Sequence, residues 1–464
     1  MKKVLTILIA IFCCSSSVRA THLMGGEMVV THLSGNQYII HLTAYRDTLG
    51  IPFAGYATFK VFDSNGTIVS NNNVAVDAVS GWPLANVPYG VEVYTFHDTI
   101  SVPAPGMYVV EWFNCCRNGA IQNLTQPLSE SMFLSTEFMH FANASNSTPE
   151  FLAPPVTFLP INQAWQYNSL PFDIDGDSLA WSIDTPLTSY NLYCAGYTSP
   201  SADTSGPFVI DPINGQISWT PDALGNFVAS IRVEEFRAGV KIGEIIRDYQ
   251  MIVIPDTNKL PKITNMNLIP VNSSGHRYLN LNVNTSFSVS LIADDQDGDP
   301  IQFLAFGEPL IVNSNPAWFG TVPYNGTSLM GTFAWMPNAN QVRVNPYLMV
   351  FRVKDRNFSY DETVMINVGN FASVYDFEGE SLGQLYPNPN NGILSLPIQL
   401  NSAAEVQLQI SDMKGAAVKN IALGRMTAGK HLKLMQLNLD AGSYSITLYK
   451  DQKASGTQRF VIIE

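Results

Sequence analysis

Asp173-Ile174-Asp175-Gly176-Asp177-Ser178-Leu179 and Asp295-Gln296-Asp297-Gly298-Asp299-Pro300-Ile301 are two copies of one acidic loop. Trp219-Thr220-Pro221 follows the central aspartate of the first copy by 44 residues, and Trp335-Met336-Pro337 follows that of the second by 38. Each tryptophan ends a Gly-led alternating run, Gly215-Gln-Ile-Ser-Trp219 and Gly331-Thr-Phe-Ala-Trp335. Strand-like stretches come next in both, Phe227 to Val233 and Tyr347 to Val353. Apolar residues at every second position put one face of a strand on a core. The copies recur at roughly 115–120 residues, which marks tandem domains, because solenoid repeats run at about 20–50. Two β-domains of one kind, 150–256 and 260–369, therefore occupy the middle of the chain.

Working outward, residues 21–145 also read as strands. Gln37 to Tyr45, Ala57 to Phe62, Val91 to Phe96 and Met107 to Phe113 alternate or run apolar between turn signals such as Asp63-Ser-Asn-Gly66. The tail, 383–464, shows the same texture from Val406-Gln-Leu-Gln-Ile410 to Phe460-Val-Ile-Ile463. Charged residues make up only 14% of the chain, against about 25% ordinarily. The fold class is all-β, a row of tandem β-sandwich domains, and 464 residues suffice for several separate cores. The net charge of −13 is uneven: residues 21–382 carry 14 basic against 33 acidic side chains, and 383–464 carry 8 against 5. An acidic body excludes nucleic acid and suits cations.

Residues 1–20 form a signal peptide, with Lys2 and Lys3 before an apolar stretch and Val18-Arg19-Ala20 as the cleavage site. No later stretch is long enough to span a membrane, so the expected location is secreted, at the cell surface. Cleavage leaves Cys115, Cys116 and Cys194. Neighbouring Cα atoms lie about 3.8 Å apart across a trans peptide, short of the usual disulfide range of about 4.4–6.8 Å. A bond from Cys115 or Cys116 to Cys194 is expected, with three free thiols as the alternative.

In an extended loop, alternate side chains share a side, so Asp173, Asp175 and Asp177 crowd together, as do Asp295, Asp297 and Asp299. Such a cluster stands either fully solvated or neutralised by a hard cation. Calcium takes six to eight oxygens, and the glycine lets the loop wrap it. The EF-hand pattern does not fit, because glycine is fourth rather than sixth and Phe306 takes the twelfth place.

Three resemblances add to this reading. His22-Leu-Met-Gly-Gly-Glu27, Tyr45-Arg46-Asp47 and Cys115-Cys116-Arg117-Asn118 together resemble the N-terminal region of secreted gliding-motility-associated proteins. The Asp-x-Asp-Gly-Asp loops, the Gly-x-x-x-Trp-x-Pro runs and the closing Val353-Lys-Asp355 resemble bacterial cadherin-like, Ig-fold modules. That likeness implies calcium held by Asp173, Asp175, Asp177, Asp295, Asp297, Asp299 and Asp355. Copy one closes on Val233-Glu-Glu235, where the family has Asp, so no ligand is carried over there. Tyr386-Pro387-Asn388-Pro389, Gly392, Gly415 and Leu439-Asp-Ala-Gly442-Ser-Tyr444 resemble the C-terminal sorting domain of the type IX secretion system. This implies export by that machinery through residues 383–464, with a body that folds without the tail.

Enzyme signatures are absent: there is no His-Glu-x-x-His, Gly-x-Ser-x-Gly or phosphate loop. Trp219 and Trp335 occupy equivalent strand positions and are read as core. The expectation is a non-catalytic cell-surface protein, adhesive or structural, with calcium in its repeated modules and a surface protein or glycan as ligand. The alternative is a secreted carbohydrate-binding or degradative accessory protein using the 21–145 sandwich.

Overall fold

In the computed structural model, the described residues are 23–53, 55–83, 90–154, 156–200, 206–255, 257–371 and 381–463. The expected signal peptide, residues 1–20, lies outside them. Strands dominate from Leu23–Ser34 to Lys453–Ile462, with four single-turn 3-10 helices as the helical elements among the described residues. None is long and apolar enough to cross a membrane.

The chain divides into two compact units. The first holds residues up to 164, 173–213 and 219–256, and the second holds 165–172, 214–218 and 257–464. At the centre of the first unit runs the strand Val240–Ile254, in which every residue from Ile242 onward is buried. It pairs along its whole length with Gly225–Arg237 through a two-residue turn, where Ala238 and Gly239 both take positive φ (52° and 78°). That geometry matches the twist of a tight hairpin. Its other edge is shared. Ser131–His140 takes it at Gly243–Ile245, Leu23–Ser34 at Asp248, and Val156–Pro160 runs parallel to Gln250–Ile254. Strands from 21–145 and from 150–256 therefore belong to one sheet, and the polar stretch at 143–150 separates segments of sequence but not separate units. The core beneath the N-terminal strands gathers Tyr38, Phe59, Phe96, Trp112 and Phe138.

Buried charge ties the same strands together. Arg117 donates to both oxygens of Asp248, at 2.8 and 2.7 Å. Arg247 pairs with Glu27 at 2.7 Å and lies 4.2 Å over the Phe151 ring.

The expected disulfide to Cys194 is not formed. Cys115 and Cys116 are bonded to each other, with a cis peptide between them and Cα atoms 3.0 Å apart. The expectation assumed a trans peptide, whereas the cis bond turns both side chains to one side. Cys194 is a free, buried thiol packed with Ile121, Leu124 and Val228.

In the second unit, Thr285–Asp294 pairs on one edge with Leu329–Trp335. On the other edge it pairs in parallel with Gly429–Gln436 of the tail, from Thr285↔Lys430 to Val289↔Leu434. A second sheet orders Arg277–Asn282, Ser359–Gly369, Tyr347–Lys354 and Gln302–Gly307. Phe287, Leu291, Phe333, Trp335, Phe351 and Val364 fill the space between, and Ile393, Leu432 and Leu434 of the tail pack on that core. The tail also has a core of its own, including Leu396, Leu408, Ile446 and Phe460. The sorting tail and the second repeat thus share a sheet, a departure from a body that stands apart from its tail.

Candidate cation centres

The two acidic loops fold alike. Gly176 and Gly298 take φ of 82° and 80°, which glycine adopts without steric cost. The backbone then turns so that Asp173 Oδ1 accepts from Asp177 N at 2.8 Å, and Asp295 Oδ1 accepts from Asp299 N at 3.2 Å. The first aspartate of each loop is buried, 5% exposed at Asp173 and 4% at Asp295, and its Oδ2 has no hydrogen-bond partner. The second aspartate turns back to the preceding linker. Asp175 accepts from Ser147 N at 2.7 Å and Ser145 Oγ at 2.9 Å, while Asp297 accepts from Lys259 N.

A further acid comes from the strand that closes each repeat. In the second, Asp355 Oδ1 accepts from Asn357 N and Phe358 N, both at 2.6 Å, and Oδ2 accepts from Asn258 Nδ2 at 2.7 Å. Burial raises its pKa, and Asp295 adds to the rise. In the first repeat the equivalent position is Glu235, fully buried, with neither carboxylate oxygen hydrogen-bonded. One ligand atom each from Asp173, Asp177 and Glu235 lies within 4.8 Å of the others, the one such acidic or histidine group among the described residues. Gly243 on the neighbouring strand leaves the room: a Cβ there would lie 2.5 Å from Glu235 Oε2.

Electrostatics follow from that crowding. Burial first, then Asp173 and Asp177, push the Glu235 carboxyl up to about 10. Burial raises Asp173 to about 6. Arg237 offsets part of the charge by donating to both oxygens of Asp177, and it also donates to Asn146 Oδ1 at 2.8 Å. What is left is a cluster of carboxylate oxygens short of donors, a donor set suited to a hard divalent cation.

Of the seven aspartates named from sequence, the structure joins Asp173 with Asp177, and places Asp295 beside Asp355. Asp175 and Asp297 serve the linkers instead, and Asp299 gives its backbone N–H to Asp295. Sequence reasoning missed Glu235, since the resemblance it followed has Asp at this position. It also missed Asn146 and Asn258, although Asn146-x-x-Pro149 and Asn258-x-x-Pro261 stand before both repeats. Trp181, Trp219 and Trp335 are buried, and Trp318 is 60% exposed.

The N-terminal motifs converge on one another. Asp47 accepts from Leu49 N and Gly50 N, both at 2.9 Å, and from Asn118 Nδ2 at 3.1 Å. Leu23 N donates to Cys116 O, and Asn118 N donates to Leu23 O. Their work is to lock the first strand to the Cys-Cys-Arg-Asn turn.

No curated protein matches the chain. Among solved structures, titin domains A168-A170 are similar over 68% of this chain and 99% of theirs, at 11% identity and TM-score 0.17. A structure titled Rst D1-D2 is similar over 48% of this chain and 100% of its own, at 10% identity and TM-score 0.16. An endo-fucoidan hydrolase of glycoside hydrolase family 107 is similar over 69% of this chain and 42% of its own, at 12% identity and TM-score 0.17. None of these is close enough to assign an activity. Residues 384–463 match the secretion system C-terminal sorting domain. The chain is thus an all-β secreted protein that carries a type IX sorting domain at its C-terminal end.

Proposed function

We propose that this is a non-catalytic cell-surface protein, adhesive or structural, whose two repeats are stiffened by calcium. The observation that carries the reading is the Asp173–Asp177–Glu235 cluster, in which the buried Asp173 Oδ2 and Glu235 oxygens lack a hydrogen-bond donor. An unpaired charge so placed would cost several kcal/mol, which the buried Glu235 avoids by holding a proton, and a cation would take the place of that proton. Asp295 and Asp355, with Asn258 behind them, supply the second centre. Asp175 and Asp297 fasten each loop to the linker before it, so ordering a loop also orders its linker.

The test is calorimetric titration of the full chain with calcium after treatment with EDTA. Two sites are expected, with Kd at about 0.1–1 mM, the range of extracellular modules. At a hundredfold excess over Kd the folded state gains about 2.7 kcal/mol. Asp173→Asn with Asp295→Asn should remove both the heat and the gain in melting temperature. A chain that binds no calcium and melts alike in calcium and EDTA would refute the reading.

A further inference from the structure

His41 and His97 are distant in sequence, yet the register of Gln37–Asp47 against Gly90–Ser101 sets them directly opposite each other. Side chains of such a pair share one face of the sheet, with Cβ atoms about 4.5–5.5 Å apart. Here that face looks to solvent: both histidines are exposed, while their neighbours Ile40, Leu42 and Phe96 point into the core. The two rings lie 6.4 Å apart, centre to centre. Beside them Asp77 Oδ2 lies 2.7 Å from His97 Nδ1, and the charges of Glu150 and Asp77 reach the His41 ring. A structural role accounts poorly for this grouping. The imidazoles fill no core, and two like charges placed opposite one another weaken a sheet whenever both carry a proton.

We propose that His41 and His97 together hold one divalent transition-metal ion, zinc or copper, with Asp77 orienting His97 from behind. Neutral imidazole is a ligand for both metals, whereas calcium takes oxygen. An Nδ1–H donated to Asp77 fixes His97 in the tautomer whose Nε2 carries the free lone pair. Carboxylates orient metal-binding histidines in this way. A zinc–nitrogen bond is about 2.0–2.1 Å long, so a tetrahedral ion asks the two ring centres to close by about 1 Å. Rotation within two exposed side chains supplies this without moving the strands. Asp77 and Glu150 offset the charge of the ion, and water completes its coordination. The loops at Asp173 and Asp295 take no part, so the site goes beyond the calcium reading and stands apart from it.

The experiment is calorimetric titration of the untagged full chain with zinc, in millimolar calcium so that the acidic loops do not compete. One zinc per chain is expected. His41→Thr and His97→Thr keep good strand formers in place, so metal-free melting should be unchanged. Each should weaken zinc by about tenfold or more, and Asp77→Asn by about tenfold. Glu235→Gln should leave zinc binding as it was. Copper serves as the spectroscopic probe: electron paramagnetic resonance of the copper-loaded chain should show two imidazole nitrogens, and one in either histidine variant. Failure of zinc to bind, full affinity in either histidine variant, loss of binding in Glu235→Gln, or a copper spectrum without nitrogen couplings would overturn the proposal. The deciding histidines lie outside the acidic loops, so failure here leaves the calcium reading standing.

Discussion

Arg117 and Asp248, 131 residues apart, form a two-pronged ion pair in which neither side chain reaches solvent beyond 1%. The remaining Arg117 donors go to Ser131 O and Leu187 O, so the guanidinium is well satisfied. The pair joins the Cys-Cys-Arg-Asn turn to the middle of the Val240–Ile254 strand, and thereby the N-terminal strands to the first repeat. Removing one partner strands the other charge, at a cost of about 3–5 kcal/mol. Asp248→Asn or Arg117→Met alone should lower the denaturation midpoint of the first unit strongly. The double change Arg117→Met with Asp248→Leu should recover much of the loss. Equilibrium unfolding in urea measures this, and single variants as stable as the parent would show that the pair is dispensable.

Cys194 is 4% exposed, and burial pushes its thiol up to about 11. The thiolate is the reactive form. In native protein at pH 8, Cys194 should resist an aromatic disulfide reagent and react fully once urea unfolds the chain. Prompt labelling of the native chain at Cys194, located by peptide mapping, would mean that the first unit opens far more easily than its packing suggests.

The repeat was legible because its signals are local. An Asp-Gly turn and a tryptophan at a strand end read the same in any context, and Trp219 and Trp335 are core residues in the structure. The joining of segments was not legible. Nothing local in Val240–Ile254 says that Leu23–Ser34 and Ser131–His140 lie on its far edge. Backbone pairing carries no side-chain code beyond alternation. The one hint was polar: Glu244, Arg247, Asp248 and Gln250 sit buried within a largely apolar strand, and buried charges need distant partners. Glu235 was obscured for the opposite reason, because a family pattern called for Asp at a position whose geometry accepts the longer acid. Cys115 and Cys116 were misread because a trans peptide was assumed.

The tail's strand Gly429–Gln436 covers an edge of Thr285–Asp294, and Leu432 and Leu434 pack against the second repeat. Ending the chain at residue 371 would bare five residues of strand edge and the apolar surface around Phe287. Exposed edges recruit other strands. The shortened chain should therefore melt at a lower temperature than the full chain and associate as its concentration rises. Leu434→Ala in the full chain should cost about 1–3 kcal/mol. Calorimetry with light scattering measures both, and a monomeric shortened chain with an unchanged second unit would show that the shared sheet contributes nothing.

Glu235 gives the calcium reading a pH dependence whose sign is fixed. Its carboxyl titrates near 4.5 in an unfolded chain and is pushed up to about 10 in the folded one. Between those values the folded state keeps a proton that the unfolded state has released. Stability from this group is therefore complete below pH 4.5 and falls as pH rises toward 10, by at most about 1.4 kcal/mol per unit for one proton. Asp173, raised to about 6, acts in the same direction over a narrower window. In EDTA the first unit should melt several degrees lower at pH 8.5 than at pH 5.5. A bound cation takes the place of the proton, so saturating calcium should flatten that slope. Glu235→Gln should flatten it in EDTA as well, since the amide has no proton to lose, and should weaken calcium at this centre. The slope is read from melting temperatures at four pH values, with and without calcium. An equal slope in Glu235→Gln would move its origin to the other buried acids of the unit, such as Glu27, whose carboxyl burial also raises.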